Sequence, residues 1–126
     1  MLSYVFDTGA LIAAERGKER ASRFLRLVRI GRARILVPFP VVAEWWRGRT
    51  DVREEILAAS RVVATVEIAQ TAGVALARAS AVHADLTIDA IVMATAAHLD
   101  AIVVTGDPRD FETLSVHFPG VSVLAV

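Results

Sequence analysis

The chain has 126 residues, 55% of them hydrophobic and 22% charged, with 14 basic residues balancing 14 acidic ones and no cysteine. That length suits one domain, residues 1–126, with a substantial core, and the composition excludes an intrinsically disordered chain. Without cysteine there is neither a disulfide framework nor a zinc-thiolate site, and with no basic leader and no apolar run of the roughly 18 residues that span a membrane, the chain reads as unprocessed, cytoplasmic and without a membrane partner.

Residues 3–6, SYVF, read as a first strand ending at Asp7, and TGALIAAERG reads as a helix that stops near Gly17. KERASRFLRLVRIG then places Ala21, Phe24, Leu25 and Val28 at helical spacing, with Arg20, Arg23, Arg26 and Arg29 around the remaining surface. This predicts an amphipathic, basic helix. ARILVPF is strand-like, Pro40 fits the first turn of a helix through VVAEWWRG, and Gly48 can close it. An acidic helix, DVREEILAAS, leads to the strand RVVATV and the helix IAQTAGVALARASAV. LTIDAIVMATAA, residues 86–97, is an apolar helix with Thr87 as its N-cap, followed by the strand AIVVT, a loop GDPRDFETL and a last strand VSVLAV. Strands alternating with helices predict an α/β fold with a central, mainly parallel sheet flanked by helices on both faces.

Parallel α/β sheets place their sites beyond the carboxyl ends of the strands, and acidic residues fall there. Asp7 follows the first strand, Asp107 lies two residues after Thr105 at the end of AIVVT, Asp89 falls in the first turn of the apolar helix, and Glu44 lies within a helix beside Trp45. Each has a structural explanation: a cap at Asp7, a dipole partner at Asp89, a turn at Asp107, an i,i+3 pair between Glu44 and Arg47. Four together suggest a cluster that repels itself unless it binds hard divalent cations, whose preference for oxygen suits Asp and Glu. Mg²⁺ or Mn²⁺ held this way activates a water and steadies charge on a phosphodiester. Through residue 49 there are ten basic residues against four acidic, and from residue 50 four against ten, which places an anionic partner within reach of one end. A solvated arginine-rich helix face is the plainer reading of that asymmetry.

In YVFDTGALIA, PFPVVAEWWRG, TIDAIVMATAAHLDAIVVTGDPRDF and the closing GVSVL, the chain resembles the PIN domain, most closely the VapC-type ribonuclease toxins of bacterial toxin–antitoxin pairs. The resemblance covers nearly the whole chain. It implies a Mg²⁺- or Mn²⁺-dependent endoribonuclease that cleaves tRNA, rRNA or mRNA and inhibits growth. Asp7, Glu44 and Asp89 match the first three acids of the family's site and Asp107 the fourth, with Thr8, Thr105 and Asp110 in support. Asp107 and Asp110 both remain open as the acid nearer the metal. Family members usually carry a basic or polar residue where this chain has Gly106. The resemblance also implies a homodimer, neutralisation by a VapB-like antitoxin that covers the site, and a toxin–antitoxin assembly on DNA. Arginines of the basic helix would bind single-stranded or looped RNA around the acidic site. Trp45 and Trp46 read as packing residues rather than base-stacking ones.

FDTGA is also a signature of aspartic proteases, which in a short chain would work as homodimers, but that chemistry needs an all-β scaffold. A phosphoacceptor receiver domain needs a lysine after a late strand, and the only lysine is Lys18. A non-catalytic, degraded RNA-binding relative is the remaining alternative. His83, His98 and His117 are scattered and read as structural or surface residues.

Overall fold

The structure, a computed structural model, describes residues 1–79 and 85–126. These form β1 (Leu2–Phe6), α1 (Thr8–Glu15), α2 (Glu19–Arg29), β2 (Ala33–Pro38), α3 (Phe39–Trp45), α4 (Asp51–Ala58), β3 (Ser60–Val63), α5 (Val66–Arg78), α6 (Asp85–Leu99), β4 (Ile102–Thr105), α7 (Glu112–Ser115) and β5 (Val123–Ala125). A 3-10 turn at Pro108–Phe111 precedes α7.

Uninterrupted apolar runs form the strands because both faces of a parallel sheet are covered. Val5, Phe6, Leu36, Val37, Val103 and Val104 are accordingly all fully buried. The strand order is β3-β2-β1-β4-β5, and every pairing is parallel, so the mainly parallel sheet is wholly parallel among the described residues. The chain moves outward from β1 to β2 and β3, then crosses back to lay β4 on the other side of β1. Right-handed crossovers put the helices of the outward leg on one face and those of the return leg on the other. On the first face Phe24 of α2 stands edge-on to Tyr4 and Phe6, with ring centroids 4.7 and 5.6 Å apart. On the second, α6 packs over β1, β2 and β4. Its Ala90, Val92, Met93 and Ala94 are fully buried, and an apolar surface on nearly all sides marks a helix covered by its neighbours.

Several boundaries differ from the sequence reading, four of them near the site or its supporting helices. Helix α6 begins at Asp85, so Thr87 lies inside it and does not cap it, and Asp89 is its fifth residue, beyond the first turn. Helix α3 ends at Trp45; Gly48 lies three residues later in the turn to α4, with φ of 104°. Strand β3 stops at Val63 because Thr65 caps α5, its hydroxyl accepting the Ile68 N–H at 3.2 Å. The segment after β4 coils instead of looping, since Asp107 caps the 3-10 turn through the Arg109 N–H at 3.0 Å. The end of the helix predicted through residue 82, and His83, lie outside the described residues. No helix among the described residues is long and apolar enough to cross a membrane.

Candidate active site

Where strand order reverses, the loops after two adjacent strands diverge and leave a crevice at their carboxyl ends. Here that point lies between β1, which runs into Asp7, and β4, which ends at Thr105. The Asp7 N–H donates to the Val104 carbonyl at 3.2 Å, fixing the backbone. Its Oδ1 accepts the Ala10 N–H at 2.8 Å and caps α1, while Oδ2 accepts the Thr105 hydroxyl. The capping role therefore exists, but it occupies one oxygen. Thr105 is fully buried, and its hydroxyl oxygen also accepts the Asp107 N–H at 3.1 Å. Asp7 is only 8% exposed. Burial pushes its carboxyl up from the ordinary range, the Thr105 and Ala10 hydrogen bonds oppose this, and the charge of Asp110 adds to it.

Glu44 arrives on α3 and accepts the Thr8 hydroxyl at 2.6 Å. Arg47 does not pair with it as the i,i+3 spacing suggested. Its guanidinium donates to the Ala43 and Trp46 carbonyls at 3.1 and 2.9 Å, closing the end of α3. Asp89, half-buried on α6 beside Ile88, forms another wall. The loop after β4 comes so close to the start of α1 that a Cβ on Gly9 would sit 3.1 Å from Gly106 N, and one on Gly106 3.3 Å from Gly9 Cα. A side chain at either glycine would therefore be crowded unless the facing backbone shifts.

The cleft so formed has a volume of about 290 Å³. Asp7, Glu44, Asp89, Asp107 and Asp110 all line it, with Thr8 and Thr105, and among the described residues no lysine or arginine does. The carboxylates share the cleft without converging on one point: among the described residues no three Asp, Glu or His side chains are grouped closely enough to hold a single ion in this conformation. Neighbours hold several of them back. Asp107 in particular is engaged through both oxygens by Arg109, with Nε to Oδ1 at 3.0 Å and Nη2 to Oδ2 at 2.9 Å. Arg109 holds the Asp107 carboxyl below its usual range, whereas Asp110 is the acid whose charge reaches Asp7. The carboxylate oxygens of this lining are the donor type that suits a hard divalent ion.

The arginines of α2 do not surround this cleft. Arg26 pairs with Glu19 and Arg29 with Glu55, all largely exposed, and Arg20 and Arg23 are exposed on the same helix. Trp45 is 3% exposed and Trp46 is half-buried against the core, with ring centroids 5.9 Å apart, so both pack as predicted. His98 is exposed and shares a 2.8 Å hydrogen bond with Thr71, and the two line a separate cavity of about 350 Å³ with His117. Two residues beside the acidic cleft carried no clear sequence signal. Gly9 matters only through its contact with another loop, and Arg109 only through its i,i+2 reach to Asp107.

A parallel α/β sheet with a carboxylate-rich cleft at its reversal point defines a class of domain whose chemistry is set by acids at strand ends. The PIN domain profile matches residues 4–116, and the chain belongs to that family. No curated protein sequence matches it. Among solved structures, VapBC2 from Rickettsia felis bound to a DNA fragment from their promoter is similar, with a TM-score of 0.71 at 14% identity over 99% of each chain. A toxin–antitoxin complex from Klebsiella pneumoniae has a TM-score of 0.68 at 20% identity, covering 97% of this chain and 96% of that one. DNA-bound VapBC from Salmonella typhimurium has a TM-score of 0.66 at 20% identity, covering 99% and 98%. At these identities the likeness is one of fold.

Proposed function

We propose that the chain is a Mg²⁺- or Mn²⁺-dependent endoribonuclease of the VapC type. The observation that carries the reading is the gathering of Asp7, Glu44, Asp89, Asp107 and Asp110 on one cleft with no lysine or arginine among its described lining residues. A divalent cation bound there supplies Lewis acidity and a water of lowered pKa for attack on a phosphodiester. Asp7, Glu44 and Asp89 would hold it, with Asp107 or Asp110 as the fourth acid, Asp107 being the one that pairs with Arg109. Thr105 orients the Asp7 carboxylate and Thr8 that of Glu44. With the first residues of α1 stacked on the loop after β4, the two elements that present these groups are fixed to each other.

The similar structures, toxin–antitoxin complexes of which two are bound to DNA, support a VapB-like antitoxin partner and an assembly on DNA. A homodimer in the cytoplasm, acting on single-stranded or looped RNA, completes the reading. The test is cleavage of a single-stranded RNA by the purified chain with Mg²⁺ or Mn²⁺ and with a chelator. Cleavage only with metal, abolished by Asp7→Asn and by Asp89→Asn in folded protein, is the predicted result. Cleavage in chelator, or full activity in both variants, would overturn the mechanism; RNA binding without cleavage in any metal would point to a non-catalytic module. Expression of the chain alone should arrest bacterial growth, and Asp89→Asn should relieve the arrest.

A further inference from the structure

Helix α3 has only seven residues, and no side chain caps its first turn. Such a helix has little stability of its own, so its rotation about its axis is set by what it touches. Successive residues on a helix project about 100° apart, which means that fixing the direction of Trp45 also fixes the direction in which Glu44 leaves. Trp45 is fixed strongly. Its indole is buried, and Nε1–H donates to Glu15 Oε1 at 3.0 Å. Arg53 of α4 grips the same carboxylate, Nε to Oε1 at 2.9 Å and Nη2 to Oε2 at 3.2 Å, and its Nη1 donates to the Gly48 carbonyl at 2.9 Å. Arg53 and Glu15 are 18% and 28% exposed, so this bidentate pair is better shielded than the ion pairs of α2. Helix α1 thus holds α3 twice, through Thr8 at its first residue on Glu44 and through Glu15 at its last on Trp45. None of Glu15, Trp45 and Arg53 lines the acidic cleft.

We infer that the Glu15–Arg53–Trp45 cluster is a positioning device for Glu44, setting the rotation of α3 so that this carboxylate faces Asp7 and Asp89 across the cleft. The inference rests on the metal-binding reading above. It predicts that the cluster affects metal affinity through Glu44 alone. The test is a calorimetric titration of Mn²⁺ into the full chain, with thermal melts alongside, for wild type, Glu15→Gln, Trp45→Phe, Glu44→Gln and the Glu15→Gln/Glu44→Gln double variant. Glu15→Gln should weaken Mn²⁺ binding about tenfold, the usual consequence of losing a group that orients a ligand, while melting remains cooperative. In the Glu44→Gln background the same change should have no further effect, a non-additivity that a merely stabilising role does not produce. Trp45→Phe keeps an aromatic ring but loses the N–H donor together with part of the buried indole, so it should also weaken binding, and with its melt recorded alongside it carries the test if Glu15→Gln fails to fold. Wild-type affinity in Glu15→Gln and Trp45→Phe while Glu44→Gln binds weakly, or equal losses in both backgrounds, would overturn the positioning role and leave the metal site standing. No Mn²⁺ binding by wild type would overturn both.

Discussion

Asp7 has a carboxyl pulled in two directions. Burial and the charge of Asp110 favour its protonated form, and the Thr105 and Ala10 hydrogen bonds favour the ionised one, with burial prevailing. Because the folded carboxyl holds its proton more tightly than the unfolded one, stability is fullest below the ordinary carboxylate range and falls as pH rises through the folded pKa. Removing the charge should therefore stabilise the metal-free protein. Asp7→Asn keeps the cap on Ala10 and offers an amide N–H to the Thr105 oxygen, so in chelator its thermal midpoint should exceed that of wild type at neutral pH, and the gap should close on acidification. A midpoint below wild type across that range would contradict the account. Thr105→Val removes the donor and leaves the Asp107 N–H without its acceptor, which should cost about 1–3 kcal/mol in denaturant unfolding. It should also raise the Asp7 pKa further, moving the acidic limb of the cleavage–pH profile to higher pH; an unmoved limb would show that Asp7 does not control it.

Elements meet at the site through contacts that leave almost no room. The start of α1 and the loop after β4 touch backbone to backbone at Gly9 and Gly106. Gly9→Ala places a methyl against Gly106 N and should destabilise the fold by about 1–3 kcal/mol, with a loss of cleavage larger than the loss of folded protein, because the displaced loop carries Asp107 and Asp110. Unchanged melting in this variant would mean that the loop yields freely. Phe24→Ala, which takes the α2 ring off Tyr4 and Phe6, should cost about 3 kcal/mol without changing metal affinity, since α2 does not line the cleft. Much of this level was legible in the sequence. Apolar runs marked β1, β2 and β4, helical spacing marked α2, and the acids at strand ends marked Asp7 and Asp107. What misled was capping: Thr65 and Asp107 start helical segments earlier than periodicity suggests, and Thr87, a good cap by type, is overridden because α6 begins at Asp85.

For the whole molecule, the decisive fact is topology, and it is the least legible. Residues 7, 44, 89, 107 and 110 are spread along the chain, and nothing in their spacing states that β4 returns to the side of β1 opposite β2. The family resemblance supplied the grouping that composition alone only suggested. Two features still escaped the sequence. The arginines of α2 lie away from the cleft lining, and among the described residues the carboxylates that share the cleft do not converge on one point. Bringing them together against their mutual repulsion is what a bound cation would do, so cation binding must appear as added stability. The most direct measurement is the thermal midpoint as Mn²⁺ is titrated into wild type and Asp89→Asn. For wild type the midpoint should climb steadily, with stabilisation of about 2.7 kcal/mol when Mn²⁺ reaches a hundred times its Kd, and for Asp89→Asn it should stay nearly flat. A wild-type midpoint indifferent to Mn²⁺, or an equal climb in the variant, would contradict the assignment of this cleft as a metal centre.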